Sequence, residues 1–428
     1  MTGCDSYRRM TRRGFLRASA GAVGAASLLG MNVRDLLALT GSGATPTAEH
    51  VILLWMSGGM SHIDTFDPKP GRPTAGEFKP IRTSVRGIDV SEILPRLARQ
   101  MHRAALVRSV TNGEGDHGRA TYNVLTGYKM APQLVHPSLG SVIAHERDSL
   151  SELPSFVSIS GRALPAEYHG NACEAYYIGE PGEPDPYVTL PKNVAAERAD
   201  RRLDLLRQMN AHHAGESDDP MLEAVDRRYV AAKHFMQSPA LAAFDLDTES
   251  AKVREAYGDT EFGRGCLLAR RLVEHGVRFV QVAMGGFDTH SNNFPTLRER
   301  GETIDPAAAS LIGDLAASGK LEKTLVLMMS EFGRTPRVNA GGGRDHHPGV
   351  WSVLMAGGGM KGGALIGASD ADGYHPAERP VHVGDLHATV CHALGIDPEK
   401  KVMTPLGRPM RLVDEGEPVR ELFATPAG

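Results

Sequence analysis

The chain has 428 residues, of which 41% are hydrophobic and 23% are charged, a balance typical of a soluble globular protein rather than a disordered or membrane-embedded one. Its length suits one large α/β domain with an insertion, or two modest domains. The 47 Lys and Arg residues against 51 Asp and Glu residues give a net charge of −4. This lacks the basic excess of a nucleic-acid-binding protein, so nucleic acid is not an expected partner.

The first 40 residues have the pattern of an export signal. Residues 11–17 read TRRGFLR, and a mildly apolar run follows at 18–29. A basic segment followed by a short apolar run is typical of a signal peptide, and the adjacent arginines resemble the twin-arginine signal. The alternative interpretation is an amphipathic surface helix. We expect residues 1–40 to be a twin-arginine signal segment, the twin-arginine export machinery to be a partner, and the protein to be periplasmic or secreted.

Beyond the leader, short apolar runs alternate with amphipathic stretches. The runs with the composition of buried strands lie at 50–56, 104–110, 155–160, 277–284, 324–330 and 351–356. Helical spacing of apolar residues appears between them, at 261–275 and 303–317. This alternation predicts an α/β fold over residues 48–428, with a doubly wound, mostly parallel sheet covered on both faces. No later run reaches about 18 apolar residues, so no stable membrane span is expected.

The segment at about 193–247 differs in composition from the rest of the chain. It is charged and has helical patterns that are broken near residues 215–220 and at Ser238-Pro239. We interpret it as a helical insertion or cap on the α/β core.

Three apolar runs end in polar, glycine-rich segments. The first leads into SGGMSHID at 57–64, the second into GGFDTH at 285–290, and the third into EFGRTP at 331–336 and GGGRDHH at 341–347. Ligands of open α/β sheets bind beyond the carboxyl ends of the strands. The sequence therefore predicts that carboxylates, imidazoles and an arginine meet in one crevice at that edge.

Five residues of these segments are candidate metal ligands. Asp288 and His290 are two apart, so in extended backbone they leave the same face and can share one ion; the alternative is a capping Asp with a surface His. Asp345 and His346 lie in a glycine-rich loop, and the alternative to metal binding there is a solvated loop. Glu331 is a ligand, a general base or a helix-capping acid. Carboxylate and imidazole together favour zinc, with manganese or iron next, over an all-oxygen calcium site.

Two further residues are candidates for catalysis. Arg334 follows Glu331 by three positions, and a guanidinium can bind phosphate or sulfate through two hydrogen bonds; its alternative role is a structural ion pair. His117 precedes the segment TYNVLTG and is a ligand, a general acid or a hydrogen-bonded loop residue.

The motifs also resemble a known family. Eight motifs carry the resemblance, in the order RRGFLR, SGGMSHIDTFDPKP, LTGY, CLLARRLVEHGVRFVQV, GGFDTH, SEFGRTPR, GRDHH and HVGDLHATVCHALGID. Together they resemble a large exported bacterial family known as domain of unknown function 1501, over almost the whole chain. A few strand ends are similar, more remotely, to the alkaline phosphatase/sulfatase superfamily. That resemblance implies an alkaline phosphatase-like core, one or two divalent metals, and hydrolysis or transfer of phosphate or sulfate esters.

The resemblance implies roles for individual residues. TLVLMMSEFG is similar to the superfamily strand that ends in Ser-Asp-His-Gly or Ser-Asp-Asn-Gly, which implies a metal-binding role for Glu331. GGFDTH resembles the Asp…His metal pair, which implies the same role for Asp288 and His290. HGRATYNVLTG resembles the sulfatase signature Cys-x-Pro-Ser-Arg…Leu-Thr-Gly, with His117 at the position of the nucleophile. The implied cofactor is a divalent metal, zinc first, with manganese, iron or calcium as alternatives.

Two hypotheses about function remain. The first is an exported metal-dependent hydrolase of phosphate or sulfate esters, with a polysaccharide ester among the candidate substrates, in which His117, Arg334 and Glu331 are catalytic. The second is a binding or assembly protein that retains the fold and a structural metal but has no turnover. The absence of Ser, Thr or Cys at the His117 position favours the second unless water or histidine is the nucleophile.

Replacing both Arg12 and Arg13 with Lys should retain the precursor in the cytoplasm, because the twin-arginine receptor recognises the guanidinium pair. Cell fractionation and immunoblotting measure this. The same change at Arg8 and Arg9, the other arginine pair, is the control. Normal export of the Arg12/Arg13 variant would show that the segment is not a twin-arginine signal.

Overall fold

The structure is a computed structural model that describes residues 46–183, 188, 193–216, 229–230 and 232–424. The predicted signal segment at 1–40 lies outside the described residues, as do residues 217–228 of the predicted insertion. In the described part of the chain, every helix is too short or too polar to cross a membrane.

The described strands are numbered in chain order. They are β1 (His50–Met56), β2 (Pro80–Arg82), β3 (Asp89–Ser91), β4 (Ala104–Thr111), β5 (Phe156–Ile159), β6 (Tyr176–Ile178), β7 (Phe279–Met284), β8 (Thr324–Met329), β9 (Gly333–Arg334), β10 (His346–His347), β11 (Trp351–Ala356), β12 (Leu365–Ile366), β13 (Ala368–Ser369), β14 (Pro376–Glu378), β15 (Val381–His382), β16 (Lys401–Met403) and β17 (Pro409–Arg411).

The described α-helices are numbered in the same way. They are α1 (Pro95–Gln100), α2 (His117–Thr126), α3 (Leu139–Glu146), α4 (Ala196–Glu216), α5 (Ala251–Tyr257), α6 (Glu261–Glu274), α7 (Asn293–Ala317) and α8 (Val383–Leu394). Short 3₁₀ helices lie at Met101–Arg103, Glu167–His169, Asn171–Cys173, Pro239–Phe244, Leu246–Thr248, Lys320–Lys323 and Arg420–Leu422.

The central sheet has the strand order β12-β4-β11-β8-β1-β7-β5-β6, and β15 pairs with β4. The pairs β8·β1, β1·β7, β7·β5, β5·β6, β12·β4 and β15·β4 are parallel. Only β11 is antiparallel to its two neighbours in this sheet as described. Parallel neighbours require crossover connections, which the helices between consecutive strands supply.

Both faces of the sheet are covered by apolar side chains. Along β1, alternate residues enter two different clusters: Ile52 and Leu54 pack with α1, α6 and α7, whereas Val51 and Leu53 pack with α2, α3 and α8. This explains why β1 reads as an unbroken apolar run, since neither face of a doubly covered strand meets water. The predicted doubly wound, mostly parallel α/β class is confirmed.

The described parts of the segment at 193–247 are helical. They comprise α4, helical residues at 229–230 and 232–237, and the 3₁₀ helices that begin at Pro239 and Leu246. Ser238 caps the first of these 3₁₀ helices through its side chain, and Pro239 stands at its start, so the break predicted at this dipeptide is a helix boundary.

The loops that follow β1, β7 and β8 meet at the carboxyl edge of the sheet. Gly58, directly after β1, has φ +115°, and a Cβ there would lie 2.5 Å from the backbone nitrogen of Asp288. Only glycine permits this conformation and this approach. The loop after β1 therefore packs directly on the loop after β7.

A buried ion pair connects the same three loops. Asp64, in the loop after β1, accepts hydrogen bonds at Oδ2 from Arg344 Nε at 2.7 Å and from Asn293 Nδ2 at 2.9 Å, and at Oδ1 from Arg344 Nη2 at 3.1 Å. Arg344 belongs to the loop after β8, Asn293 begins α7 after β7, and Asp64 and Arg344 have no exposed side-chain surface. One carboxylate therefore fixes three strand ends relative to one another.

Replacing Arg344 with Met should lower the free energy of unfolding by about 3–5 kcal/mol, because it leaves Asp64 as a buried carboxylate without its counter-charge. Urea denaturation measures this. The double variant Asp64→Asn/Arg344→Met should recover part of the loss. Arg254→Met is the control, because its partner Asp247 is 94% exposed and such pairs contribute at most about 1 kcal/mol. Equal losses in the two single-arginine variants would contradict the assignment.

Candidate metal centre

His117 is the first residue of α2, directly after the loop that follows β4. Asp116 caps this helix, and its carboxylate accepts from the backbone nitrogen of Arg119 at 3.0 Å. The His117 ring lies against Phe332, with ring centroids 4.9 Å apart, and Phe332 is fully buried. Helix capping and this ring contact together hold the imidazole over the end of β8.

Asp288 and His290 lie in the loop between β7 and α7. Arg344 donates its backbone N–H to the carbonyl of Thr289 at 2.8 Å, and the Asn339 amide donates to the carbonyl of His290 at 2.9 Å. The Thr289 hydroxyl donates to Asn293, which in turn donates to Asp64. The loop is therefore fixed on both sides by groups from the buried ion-pair network.

Asp345 and His346 come from the segment between β8 and β11, where β9 and β10 pair with His346 opposite Arg334. A Cβ at Gly343 would overlap the backbone of His290, so glycine allows this segment to lie against the loop after β7. His346 packs edge-on against His117, with centroids 4.3 Å apart. Three loops thus bring their side chains to one place.

The Nε2 atoms of three histidines surround one carboxylate oxygen. Oδ1 of Asp288 lies 3.3 Å from Nε2 of His117, 3.0 Å from Nε2 of His290 and 3.3 Å from Nε2 of His346. The Nε2 atoms of His290 and His346 are 3.0 Å apart. Donor atoms of His117, Asp288 and His346 all lie within 4.8 Å of one another. We call these four residues the His₃Asp cluster.

The other ring nitrogen of each histidine faces an oxygen that accepts hydrogen bonds. Nδ1 of His117 lies 2.7 Å from Glu331 Oε1, Nδ1 of His290 lies 2.7 Å from Asp345 Oδ1, and Nδ1 of His346 lies 2.7 Å from the carbonyl of Gly115. Carboxylates and carbonyls only accept, so each Nδ1 carries a proton. In the neutral rings each Nε2 then presents its lone pair to the centre of the cluster. Metal-binding histidines are commonly held in this way.

The cluster has the chemistry of a metal centre. Nε2 of His117 is buried and has no hydrogen-bond partner within the described residues. Where these Nε2 atoms carry no proton, their lone pairs and the carboxylate oxygen repel one another at these separations, and a cation at the centre would remove that repulsion. Zinc–nitrogen bonds near 2.0–2.1 Å in a tetrahedral site place donors about 3.3 Å apart, close to the observed separations. Three imidazoles and one carboxylate suit zinc or another transition metal.

Arg334 fixes the charge and position of Asp288. Burial would raise the pKa of the Asp288 carboxyl, but the hydrogen bond and the charge of Arg334 outweigh it and lower the pKa to about 2. Arg334 Nη2 lies 2.6 Å from Asp288 Oδ1. Asp288 is therefore ionised at neutral pH and aimed at the three imidazoles.

The structure assigns different contacts to three of the predicted residues. Arg334 is fully buried and all three of its nitrogen atoms donate to the protein, to Asp288 and to the carbonyls of Gly58, Gly59 and Arg344. It therefore reaches no substrate anion in this arrangement, contrary to the expected clamp. Glu331 and Asp345 contact the Nδ1 atoms of His117 and His290, so they lie behind these rings rather than among the facing donor atoms.

Glu331 is held by several hydrogen bonds at the end of β8. It is 1% exposed, its Oε1 accepts from the backbone N–H of Gly58 at 2.8 Å, and its Oε2 accepts from the Ser330 hydroxyl at 3.0 Å. Asp64 and Arg344 lie in the polar segments at 57–64 and 341–347, but neither they nor Asn339, which also supports the cluster, were candidates for the site. A polar residue in a glycine-rich loop has the same local pattern whether it is buried or solvated, so no local signal identifies them.

Comparisons with known proteins give one family and a group of distant structural likenesses. The family described as "Protein of unknown function (DUF1501)" matches residues 48–423, and no curated protein matches the chain. Among solved structures, the chain is similar to PsFucS1 sulfatase from Pseudoalteromonas sp., at 12% identity and a TM-score of 0.37, over 85% of this chain and 70% of that one.

Two other solved structures show likeness of the same degree. A protein of the alkaline phosphatase superfamily from Vibrio parahaemolyticus is 10% identical, with a TM-score of 0.38, over 85% of this chain and 76% of that one. The phosphonate monoester hydrolase SpPMH from Silicibacter pomeroyi is 11% identical, with a TM-score of 0.34, over 89% of this chain and 78% of that one. Likeness at this level transfers no activity to this chain.

The Asp288→Asn variant should have a flatter dependence of stability on pH in metal-free protein. The pKa of Asp288 is lowered from 3.8 to about 2 in the folded state, so its carboxylate stabilises the fold above pH 4. This contribution is lost as the pH falls towards 2. The difference in unfolding free energy between wild type and variant should therefore shrink between pH 4 and pH 2, as measured by denaturation at each pH.

The companion variant Arg334→Gln tests the cause. The Asp288 carboxyl should then titrate close to its ordinary pKa when followed by NMR. A pKa that stays at about 2 without the guanidinium would contradict the role given to Arg334.

Proposed function

The chain belongs to the DUF1501 family of proteins of unknown function, as its motifs predicted, and we propose that this member is an exported metal-dependent hydrolase of phosphate or sulfate esters. The observation that carries the proposal is the His₃Asp cluster, whose donors face one centre. About half of the side-chain surface of Asp288 and of His290 is exposed, at 48% each. Catalytic zinc sites have three protein ligands and keep one position open, whereas structural sites are closed by four. Donor atoms of His117, Asp288 and His346 all lie within 4.8 Å of one another, so these three can hold the ion and leave the exposed side, beside His290, to a water or a substrate.

The residues that would hold the ion are His117, Asp288 and His346, with His290 beside them at the exposed side, and zinc is the first candidate. Manganese and iron are the alternatives, whereas calcium, also an alternative at the sequence level, prefers oxygen ligands to imidazoles. A divalent ion bound there would polarise an ester oxygen and lower the pKa of a water nucleophile.

The surrounding residues have positioning and proton-holding roles in this proposal. Glu331 holds the proton on Nδ1 of His117 and thereby orients its Nε2 toward the centre, and Asp345 does the same for His290. Arg334 keeps Asp288 ionised and in place. Because Glu331 is anchored by Gly58 and Ser330, it acts on His117 from a fixed position. The catalytic role predicted for Arg334 is thus replaced by a positioning role.

A second candidate function is a binding or assembly protein with a structural metal. Its support is the residue at the start of α2, which is His117 rather than a Ser, Thr or Cys nucleophile. The imidazole of His117 faces the other donors of the cluster. In this case the metal stabilises the fold and turnover is absent. Both proposals predict that the protein binds a metal, but only the first predicts that it hydrolyses an ester.

Removing metal should lower the melting temperature of the folded protein. A ligand that binds only the folded state adds about 2.7 kcal/mol at a hundredfold excess over its dissociation constant, so a chelator should reverse that gain. Asp288→Ala should lower the melting temperature and abolish the response to chelator. His375→Ala, an exposed histidine outside the cluster, is the matched control and should respond as wild type does. A chelator without effect on melting or on metal content would contradict the metal proposal.

Turnover separates the two functions. Wild-type protein loaded with zinc, manganese, iron or calcium should hydrolyse aryl phosphates or aryl sulfates, and Asp288→Ala and His117→Ala should lower kcat/KM by at least about a hundredfold. Release of nitrophenol measures the rate. Metal-dependent melting without turnover on either ester class would favour the binding protein over the hydrolase.

A further inference from the structure

Arg300 presents an unsatisfied guanidinium beside the loop that carries Asp288 and His290. It lies on α7, and a Cβ at Gly286 would come within 2.8–3.1 Å of its Nε, Cζ and Nη2 atoms. Within the described residues, its Nε is buried without a hydrogen-bond partner, and its recorded ion pair is with Glu299, 3.8 Å away and 70% exposed. The side chain is 30% exposed, so part of it faces solvent.

A second guanidinium lies at the carboxyl end of β5, the strand next to β7. Gly161, directly after β5, packs so closely on β7 that its Cβ would lie 2.5 Å from the Cβ of Ala283. The next residue, Arg162, places its Cζ 5.1 Å from the ring centroid of Tyr177, and Tyr177 is 41% exposed. Arg162 therefore lies against an exposed ring at the end of β5, whereas Arg300 contacts the loop directly after β7.

These arginines differ from those nearer the centre in what their nitrogen atoms contact. Arg334 and Arg344 are completely buried and donate to carboxylates and carbonyls of the protein. In the described structure, no hydrogen bond to a protein acceptor is formed by Arg162 or Arg300. A guanidinium binds sulfate, phosphate or carboxylate through paired hydrogen bonds when no protein acceptor occupies it.

We infer that the guanidinium of Arg300, beside the loop that carries Asp288 and His290, binds a second anionic group of the substrate. This rests on the proposed hydrolase function and narrows its substrate class. The substrate is an ester that carries at least two anionic groups, as in a sulfated or phosphorylated oligosaccharide, with one group at the His₃Asp cluster and the other at Arg300.

The test compares ligands that differ by one anionic group. Binding of a monosulfated and a disulfated disaccharide, and of glucose 6-phosphate and glucose 1,6-bisphosphate, is measured by calorimetry on the full chain at fixed ionic strength. Wild type should prefer the doubly charged member of at least one pair, and the two pairs distinguish sulfate from phosphate. Arg300→Gln should weaken that ligand about tenfold or more, as expected for the loss of charge-assisted hydrogen bonds, and should leave binding of the singly charged ligand nearly unchanged.

Matched variants make the result specific. Arg298→Gln removes the same charge from the same helix, where Arg298 stacks over Phe78, and should bind as wild type does. Arg300→Lys, which keeps the charge but not the paired donors, should retain intermediate binding. Equal affinities of Arg300→Gln and Arg298→Gln, or no preference for a second anionic group in either pair, would overturn the inference.

The binding assay also separates this inference from the proposed function. It is repeated on Asp288→Ala protein treated with chelator, in which any turnover is lost. Binding of the doubly charged ligand that persists there and is weakened by Arg300→Gln supports the anion site, even if no ester is ever hydrolysed. If the protein hydrolyses aryl esters but Arg300→Gln binds all ligands as wild type does, the hydrolase proposal is supported and the second anion site is contradicted.

Discussion

The buried contact between Asp64 and Arg344 is the constraint on which the rest of the candidate centre depends. Desolvating two charges is costly, and the cost is offset only where further hydrogen bonds satisfy the remaining donors and acceptors. Here Asn293 and Ser61 bond to Asp64, and the carbonyls of Thr74 and Thr335 accept from Arg344. Because these groups come from loops after three different strands, satisfying one ion pair fixes the loops at the edge of the sheet.

The cluster depends on that constraint through short hydrogen bonds. The loop with Asp288 and His290 is held by Asn293 and by the backbone of Arg344, so the ion-pair network sets where the carboxylate lies. Arg334 then keeps Asp288 ionised, and Glu331 and Asp345 set which nitrogen of their histidines faces inward. Preorganisation of this kind lowers the cost of assembling a metal centre, since neither ring nor carboxylate has to reorient.

The division of roles among the arginines follows from burial. Arg334 and Arg344 are enclosed and serve the protein, whereas Arg300 and Arg162 are partly open and lack protein acceptors among the described residues. Sequence reasoning selected Arg334 because it follows a strand end in a polar segment, and that placement is correct. It left open whether the guanidinium binds an anion or forms a structural ion pair, and the structure has the ion pair with Asp288. Spacing along the chain does not tell whether a guanidinium will be enclosed by backbone carbonyls from a loop about 275 residues away.

The sequence by itself determined the fold class and the edge of the sheet at which polar residues meet. Apolar runs such as 50–56 and 324–330 are unbroken because both faces of each strand are buried, and this signal is local. The tertiary structure decided which atoms face one another. His117 joins Asp288, His290 and His346, while Glu331 and Asp345 contact the Nδ1 atoms on the far side of the His117 and His290 rings. Residues on a strand and on its connecting loop are placed by the chain around them. Donor convergence between segments about 55 to 230 residues apart depends on strand order, loop packing at Gly58 and Gly343, and the buried ion pair. None of these has a signature in local composition, because each is a relation between distant segments.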